Sequence, residues 1–259
     1  MFPTEKDAHY YICIGLLASG LFSFILLVFV TNAPYGRHST GGWGPEIHPK
    51  VAWVIMESPT LVISTACVYL ARGTAFTQSL PNMLLLGMFC VHYVNRSIFF
   101  PLRMRSSTPM PLGVAFMAWA FCCINGYVQA RFLCALGPIY DSSWIRDPRF
   151  VVGFLIMAHG FYLNLEADDI LRKLRKPGDV ERYKIPQGGL FELVSGANFA
   201  AEIYEWLGFG IACWSLPAFT FAMFTFFNTA PRGVAHHKWY TRKFDNYPTN
   251  RKAVIPFLW

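Results

Sequence analysis

The sequence predicts an all-α polytopic membrane protein with seven transmembrane helices, its N-terminus outside and its C-terminus cytoplasmic. Three observations carry that expectation. The 259 residues are 54% hydrophobic and 17% aromatic but only 14% charged, a poor composition for a water-facing surface. Seven apolar runs approach the roughly 20 residues needed to cross a bilayer. The cations, finally, fall mostly in alternate loops. Arg37, Lys50, Arg103, Arg105, Arg172, Lys173, Arg175, Lys176, Arg182, Lys184, Arg232, Lys238, Arg242, Lys243, Arg251 and Lys252 assign to one side. Lys6, Arg72, Arg146 and Arg149 assign to the other, while Arg96 and Arg131 lie inside spans. Cationic loops stay on the cytoplasmic side, which fixes the orientation and makes the span count odd.

The runs are Tyr10–Val30, Val51–Ala71, Leu80–Phe100, Leu112–Leu136, Phe150–Leu171, Leu190–Cys213 and Trp214–Thr229, the last two meeting at Ser215–Pro217. The first is too long, its leader too weakly basic and its flank too poor in small residues for a cleaved signal peptide. The seven cysteines all lie in or at spans and form no CxxC pair with matching histidines, so neither a disulfide framework nor a metal site is expected. Residues 1–259 read as a single domain, with the basic loop 172–189 and the segment 231–259 capping its interior.

Span 2 places Glu57 just before Ser58–Pro59, where proline removes a backbone donor and bends the helix. Either a site or a packing bend fits that pattern. Span 3 carries His92, Tyr93, Asn95 and Arg96 together, with Tyr93 and Arg96 on one face. An interfacial tyrosine and a snorkelling arginine are the bland alternatives. In span 4, Asn125 and Gln129 stand four residues apart and suit hydrogen bonding between helices. Span 5 ends in LNLEADDILRKLRKPGD, which aligns Asn164, Asp168, Leu171 and Arg175 and runs out into the basic loop.

Span 6, LFELVSGANFAAEIYEWLGFGIACWS, is the stretch around which the rest is organised. It sinks Asn198, Glu202 and Glu205 on one helical face. A carboxylate in hydrocarbon costs several kcal/mol and so faces a bundle interior or polar cavity. Structural pairing with a neighbouring cation is the competing explanation. Cations above, with acids and amides below, suit a nucleotide-sized ligand whose phosphates seek Arg and Lys. The tail after Pro231 alternates basic and aromatic residues, which suits a membrane face; no nucleic-acid partner is expected. His236 and Tyr240 lie four residues apart in it.

No Rossmann or P-loop glycine motif occurs, and no H-E-x-x-H, G-x-S-x-G or histidine box. Residues alone therefore give a membrane enzyme or transporter with an internal polar site. Beyond that, the chain resembles the steroid 5α-reductases, the 3-oxo-5α-steroid 4-dehydrogenases. The likeness is carried by YGRH, the ESP at Glu57, VHYVNR, NGYVQ, DPRF, ILRKLRKPGD with YKIPQGGLFE, SGANFAAEIYEW, and HHKWY with RKAVIPFLW.

The resemblance implies NADPH-dependent reduction of the Δ4 bond of a 3-keto steroid to its 5α product. It gives Tyr93 and Glu57 the catalytic task of polarising the 3-keto oxygen as enolate charge builds. In that arrangement a carboxylic acid kept neutral by apolar surroundings donates beside the phenol. It assigns the cofactor to Tyr35, Arg37, Arg96, Arg105, Asn164, Asp168, Arg175, Tyr183, Asn198, Glu202, His236 and Tyr240. Trp53, Phe121, Trp206 and Phe224 are the expected aromatic walls of the substrate site, beside Glu57 and Tyr93. Asn95 and Thr108 depart from the family's pattern, where His and a basic residue are frequent; they bear on cofactor affinity and substrate range.

Two rivals remain. An isoprenylcysteine carboxyl methyltransferase-like enzyme would bind cationic S-adenosylmethionine, which gains nothing from the basic loop. A proton-coupled transporter could relay protons through Glu57, Glu202 and Glu205, yet the sequence has no inverted repeat. A multi-pass integral membrane protein is expected in the endoplasmic reticulum of a eukaryote or the cytoplasmic membrane of a bacterium.

Overall fold

The computed structural model describes residues 4–33, 42–105, 108–174 and 183–259. Among them helix dominates: α1 (Glu5–Phe29), α2 (Pro49–Leu70), α3 (Ala75–Gln78), α4 (Leu80–Val94), α5 (Phe100–Arg103), α6 (Leu112–Arg131), α7 (Pro148–Lys173), α8 (Ala197–Cys213) and α9 (Leu216–Lys243). The sheet is a two-residue antiparallel pair, Glu46–Ile47 against Met110–Pro111. A backbone that satisfies its own hydrogen bonds within each segment is the form an apolar solvent permits.

Five of these stretches are long and apolar enough to cross a membrane: Glu5–Phe29, Pro49–Leu70, Leu80–Arg103, Leu112–Leu136 and Pro148–Lys173. The third and fourth are not uniform α-helix. Asn95–Phe99 and Phe132–Leu136 wind as π-turns, which widen the helix by one residue and re-aim the side chains there. Arg96 stands in the first of these turns.

Local chemistry sets several ends. Thr4 and Asp7 form a capping box at α1. Asp147 caps α7, accepting from the Arg149 backbone N–H, with Pro148 at the first helical position where its missing donor costs nothing. At the end of α8, Trp214 takes a left-handed conformation (φ 47°) and turns the chain into α9.

Two expectations about the sixth and seventh runs need correction. The helix begins at Ala197 rather than Leu190, and Gly189–Glu192 forms a 3₁₀ turn. The reason lies far along the chain. Ser195 N donates to Lys252 O (2.8 Å), Gly196 N to Ala253 O (2.9 Å), and Lys252 N to Leu193 O (2.9 Å), so this stretch is paired to another segment instead of to its own helix. The seventh run does not end near Thr229. α9 continues through Pro231 to Lys243, so His236 and Tyr240 stand on a helix and only the residues beyond fold back.

α7 and α8 form the most intimate helix pair. Gly160 allows it: a Cβ there would lie 2.6 Å from the Glu205 backbone. Small residues let membrane helices approach until dispersion forces act along their length. Gly126 does the same between α6 and α2, where a Cβ would meet Thr60 Cα at 3.0 Å. The core at this level is aromatic, with Phe89, Tyr93, Trp206, Phe209 and Phe221 buried against one another.

Candidate active site

The polar face expected on the sixth run exists, and its partners are specific. Arg96 is buried inside the bundle; it does not snorkel. Its Nη1 donates to Asp168 Oδ2 of α7 at 3.0 Å, and its Nη2 donates to Glu202 Oε2 of α8 at 3.1 Å. The guanidinium plane also lies 5.2 Å from the ring centroid of Trp53 and 5.0 Å from that of Phe100. One side chain thereby gathers α2, α5, α7 and α8. The planar fork of arginine suits two carboxylates and an aromatic face at once, which a lysine cannot match.

A second buried pair lies deeper. His92 Nδ1 donates to Glu205 Oε1 at 2.7 Å, and Glu205 has no solvent exposure. The His92 ring centroid is 4.6 Å from that of Trp206, which packs in turn 4.3 Å from Phe221 and 6.1 Å from Tyr93. So both acids of the sixth run do pair with cations or histidine on a neighbour. Glu202, half-buried, keeps one oxygen free of Arg96, whereas Glu205 is sealed.

Tyr93 and Glu57 reach the site from α4 and α2 and are held by one helix. Cys122 Sγ donates to Glu57 Oε2 at 3.5 Å, and one turn on, Asn125 Nδ2 donates to the Tyr93 phenol oxygen at 3.2 Å. The aromatic residues expected as substrate walls divide. Trp53 meets Phe100 edge to face at 4.7 Å, Trp206 joins the core around Tyr93, and Phe121 and Phe224 lie face to face at 4.2 Å between α6 and α9.

The other expected cofactor residues spread toward the end of the bundle that carries the basic loop. Asn164 Nδ2 donates to the Asn198 backbone oxygen at 3.0 Å, while Asn164 Oδ1 is buried with no partner among the described residues. His236 faces Phe199 at 5.2 Å, Tyr183 meets Trp239 at 5.0 Å, and buried Tyr240 stacks on Tyr247 at 5.3 Å. Arg105 is exposed and lines a cavity of about 450 Å³ with Glu46, His48 and Lys50. Tyr35, Arg37 and Arg175 lie outside the described residues. No group of three His, Cys, Asp or Glu side chains among the described residues is arranged to hold a metal ion.

Sequence reasoning did not single out Cys122, nor tie Asn125 and Gln129 to the phenol. The four-residue spacing of the two amides was the available signal, but it leaves open which helix they face.

The sequence profile of the 3-oxo-5-alpha-steroid 4-dehydrogenase family matches residues 108–259. The human protein 3-oxo-5-alpha-steroid 4-dehydrogenase 1 is 45% identical over 230 residues, covering 88% of this chain and 87% of that protein. Its bovine counterpart is 42% identical over 242 residues, 93% of each chain. The steroid 5-alpha-reductase DET2 of Gossypium hirsutum is 41% identical over 261 residues, 99% of each. Helical membrane architecture, a polar site inside the bundle and these likenesses together define a multi-pass membrane oxidoreductase. The chain belongs to the 3-oxo-5-alpha-steroid 4-dehydrogenase family.

Proposed function

We propose that this protein reduces the Δ4 bond of a 3-keto steroid with NADPH, giving the 5α-reduced ketone, and that Tyr93 and Glu57 bind the 3-keto oxygen. Family membership and the relatives' names support the reaction; the carrying observation for the site is the placement of Cys122 and Asn125. Cys122 holds the Glu57 carboxyl and Asn125, about one helical turn on, holds the Tyr93 phenol, whose ring lies against Trp206.

NADPH, when bound, supplies the hydride. The unpartnered Asn164 Oδ1 is a buried acceptor suited to a carboxamide or ribose hydroxyl. Glu202 and Asp168 offer further oxygens, held in place by Arg96. Tyr35, Arg37, Arg105, Arg175, Tyr183, Asn198, His236 and Tyr240 complete the proposed cofactor set, with the cations of the basic loop and Arg105 meeting the phosphates.

The rest of the chemistry falls to the chain's own groups. As the β carbon of the enone gains hydride, negative charge moves to the ketone oxygen. A phenol O–H and a carboxylic acid O–H aimed at that oxygen stabilise the enolate without reorganising at the moment of reaction. Cys122 occupies one oxygen of Glu57, leaving the other for the acid proton. Phe121, Phe224, Trp53 and Trp206 exclude water, which strengthens those hydrogen bonds.

Seven crossings with the N-terminus outside and the basic loop cytoplasmic complete the reading. In it, α8 and α9 add the sixth and seventh spans to the five long apolar stretches.

The test is incubation of the purified protein with NADPH and testosterone or progesterone, following nicotinamide absorbance and product mass. A steroid two mass units heavier, reduced at the 4,5 bond, is expected. No NADPH consumption with any 3-keto-Δ4 steroid, together with thermal stabilisation by S-adenosylmethionine alone, would overturn it.

A further inference from the structure

The two amides behind Tyr93 are oriented by one backbone carbonyl, and that orientation has a chemical consequence. Gln129 is 2% exposed and Asn125 fully buried, so neither amide exchanges its partners for water. Gln129 Nε2 donates to the Pro217 backbone carbonyl at 2.9 Å. A backbone carbonyl only accepts, so this contact fixes which end of the Gln129 amide is nitrogen. The same nitrogen donates its second hydrogen to Asn125 Oδ1 at 3.1 Å. Asn125 is thereby oriented in turn, with Nδ2 toward α4, and donates to the Tyr93 oxygen at 3.2 Å.

From Gln129 onward both links donate toward the phenol, while the bond to Pro217 anchors the Gln129 amide from behind. The Tyr93 oxygen accepts from Asn125, and its own O–H finds no hydrogen-bond acceptor among the described residues. A buried hydroxyl without an acceptor is costly and persists where something else accepts from it.

We propose that Gln129 and Asn125, anchored by the Pro217 carbonyl, form a donor relay that holds the Tyr93 proton pointing away from α6 and into the substrate site. Asn125 and Gln129 are positioning residues for the reduction. The proposal rests on the reading of Tyr93 as the donor to a ketone oxygen. It adds that donation is enforced by amides on another helix, anchored to the first turn of α9.

Reversal is the decisive perturbation. Asn125→Asp keeps size and burial but puts an acceptor against the phenol, so the Tyr93 proton turns inward. Gln129→Glu reaches the same end from further away. Its carboxyl cannot serve both Pro217 and Asn125 as donor, so Asn125 rotates its amide to offer Nδ2 backwards and Oδ1 to the phenol. Each variant is expected to lower kcat by roughly a hundredfold, the lower end of the range for losing one donor to a developing oxyanion. Steroid KM and thermal stabilisation by NADPH are expected to stay within about threefold and a degree or two of wild type.

Because both act through the phenol, neither is expected to reduce further the residual rate of Tyr93→Phe. Stabilisation by NADPH reports that a variant is folded; should Asn125→Asp not fold, Gln129→Glu decides. Wild-type kcat in a folded reversal variant, a loss confined to KM, or a loss additive with Tyr93→Phe overturns the relay while leaving the assignment of Tyr93 standing. Wild-type turnover by Tyr93→Phe itself overturns that assignment, and the relay with it.

Discussion

The guanidinium of Arg96 and the carboxylate of Glu202 meet at 3.1 Å inside the helix bundle, with Asp168 closing on the other side at 3.0 Å. Two acids share one base there. Removing the base would leave two half-buried carboxylates close together without a counter-charge, so Arg96→Leu is expected to destabilise the protein by about 3 kcal/mol. Arg96→Lys should recover only part of this, since an ammonium cannot form the two-armed contact or stack on Trp53 and Phe100. Thermal melting of detergent-solubilised protein measures both. A melting temperature for Arg96→Leu equal to that of the wild type would show the pairs to be unimportant to the fold.

His92 and Glu205 tie α4 to α8 at 2.7 Å, both buried inside the bundle. His92→Leu leaves Glu205 buried without a partner and is expected to cost about 3–5 kcal/mol. The double variant His92→Leu with Glu205→Leu removes the stranded acid as well. It should be more stable than the sum of the single effects by at least about 1 kcal/mol. Strict additivity would mean that the two side chains do not act as a pair.

Tyr93→Phe and Glu57→Gln are each expected to depress steroid reduction by roughly a hundredfold or more, the scale for a donor to a developing oxyanion. NADPH binding, followed by thermal stabilisation, should be nearly unchanged, because neither residue belongs to the proposed cofactor set. A variant that instead lost NADPH binding and kept its kcat at saturating cofactor would move the residue from catalysis to cofactor binding.

Gly160 faces the Glu205 backbone so closely that a methyl group cannot enter without displacing α8. Gly160→Ala is expected to cost about 1–3 kcal/mol, with a larger loss of activity than Ala substitution at an open glycine such as Gly87. Comparing melting temperature and turnover of the two variants tests this directly. Equal behaviour would mean that the close approach of α7 and α8 is dispensable.

How much of this was legible beforehand can be followed along α8. Helical spacing put Asn198, Glu202 and Glu205 on an inward face, because charge in hydrocarbon has no other economical place. Spacing could not distribute the acids between partners. That Glu202 shares Arg96 with Asp168, while Glu205 takes His92, depends on the rotation of α4 and on the π-turn at Asn95–Phe99, neither of which leaves a mark in hydropathy. The start of α8 is hidden in the sequence for a related reason. The apolar run from Leu190 reads as continuous helix, yet the backbone at Leu193–Gly196 is claimed by Lys252 and Ala253, a long-range pairing that local pattern does not encode. The fold class was legible because the bilayer imposes it residue by residue. The phenol's neighbours were not, since Cys122 looks like any small apolar residue until α2 is set against it.

The pairing of Leu193–Gly196 with Lys252–Ala253 carries a consequence for assembly. Helices that insert one after another can each be finished as they leave the translocation machinery, but the threshold of α8 cannot. Its peptide groups wait for a stretch made after the whole of α9, and Arg251 then locks Pro186 and Glu192 from the same stretch. The approach to α8 is thus the last part to set, and lesions near Arg251 would leave that approach unpaired after the helices before it have been made.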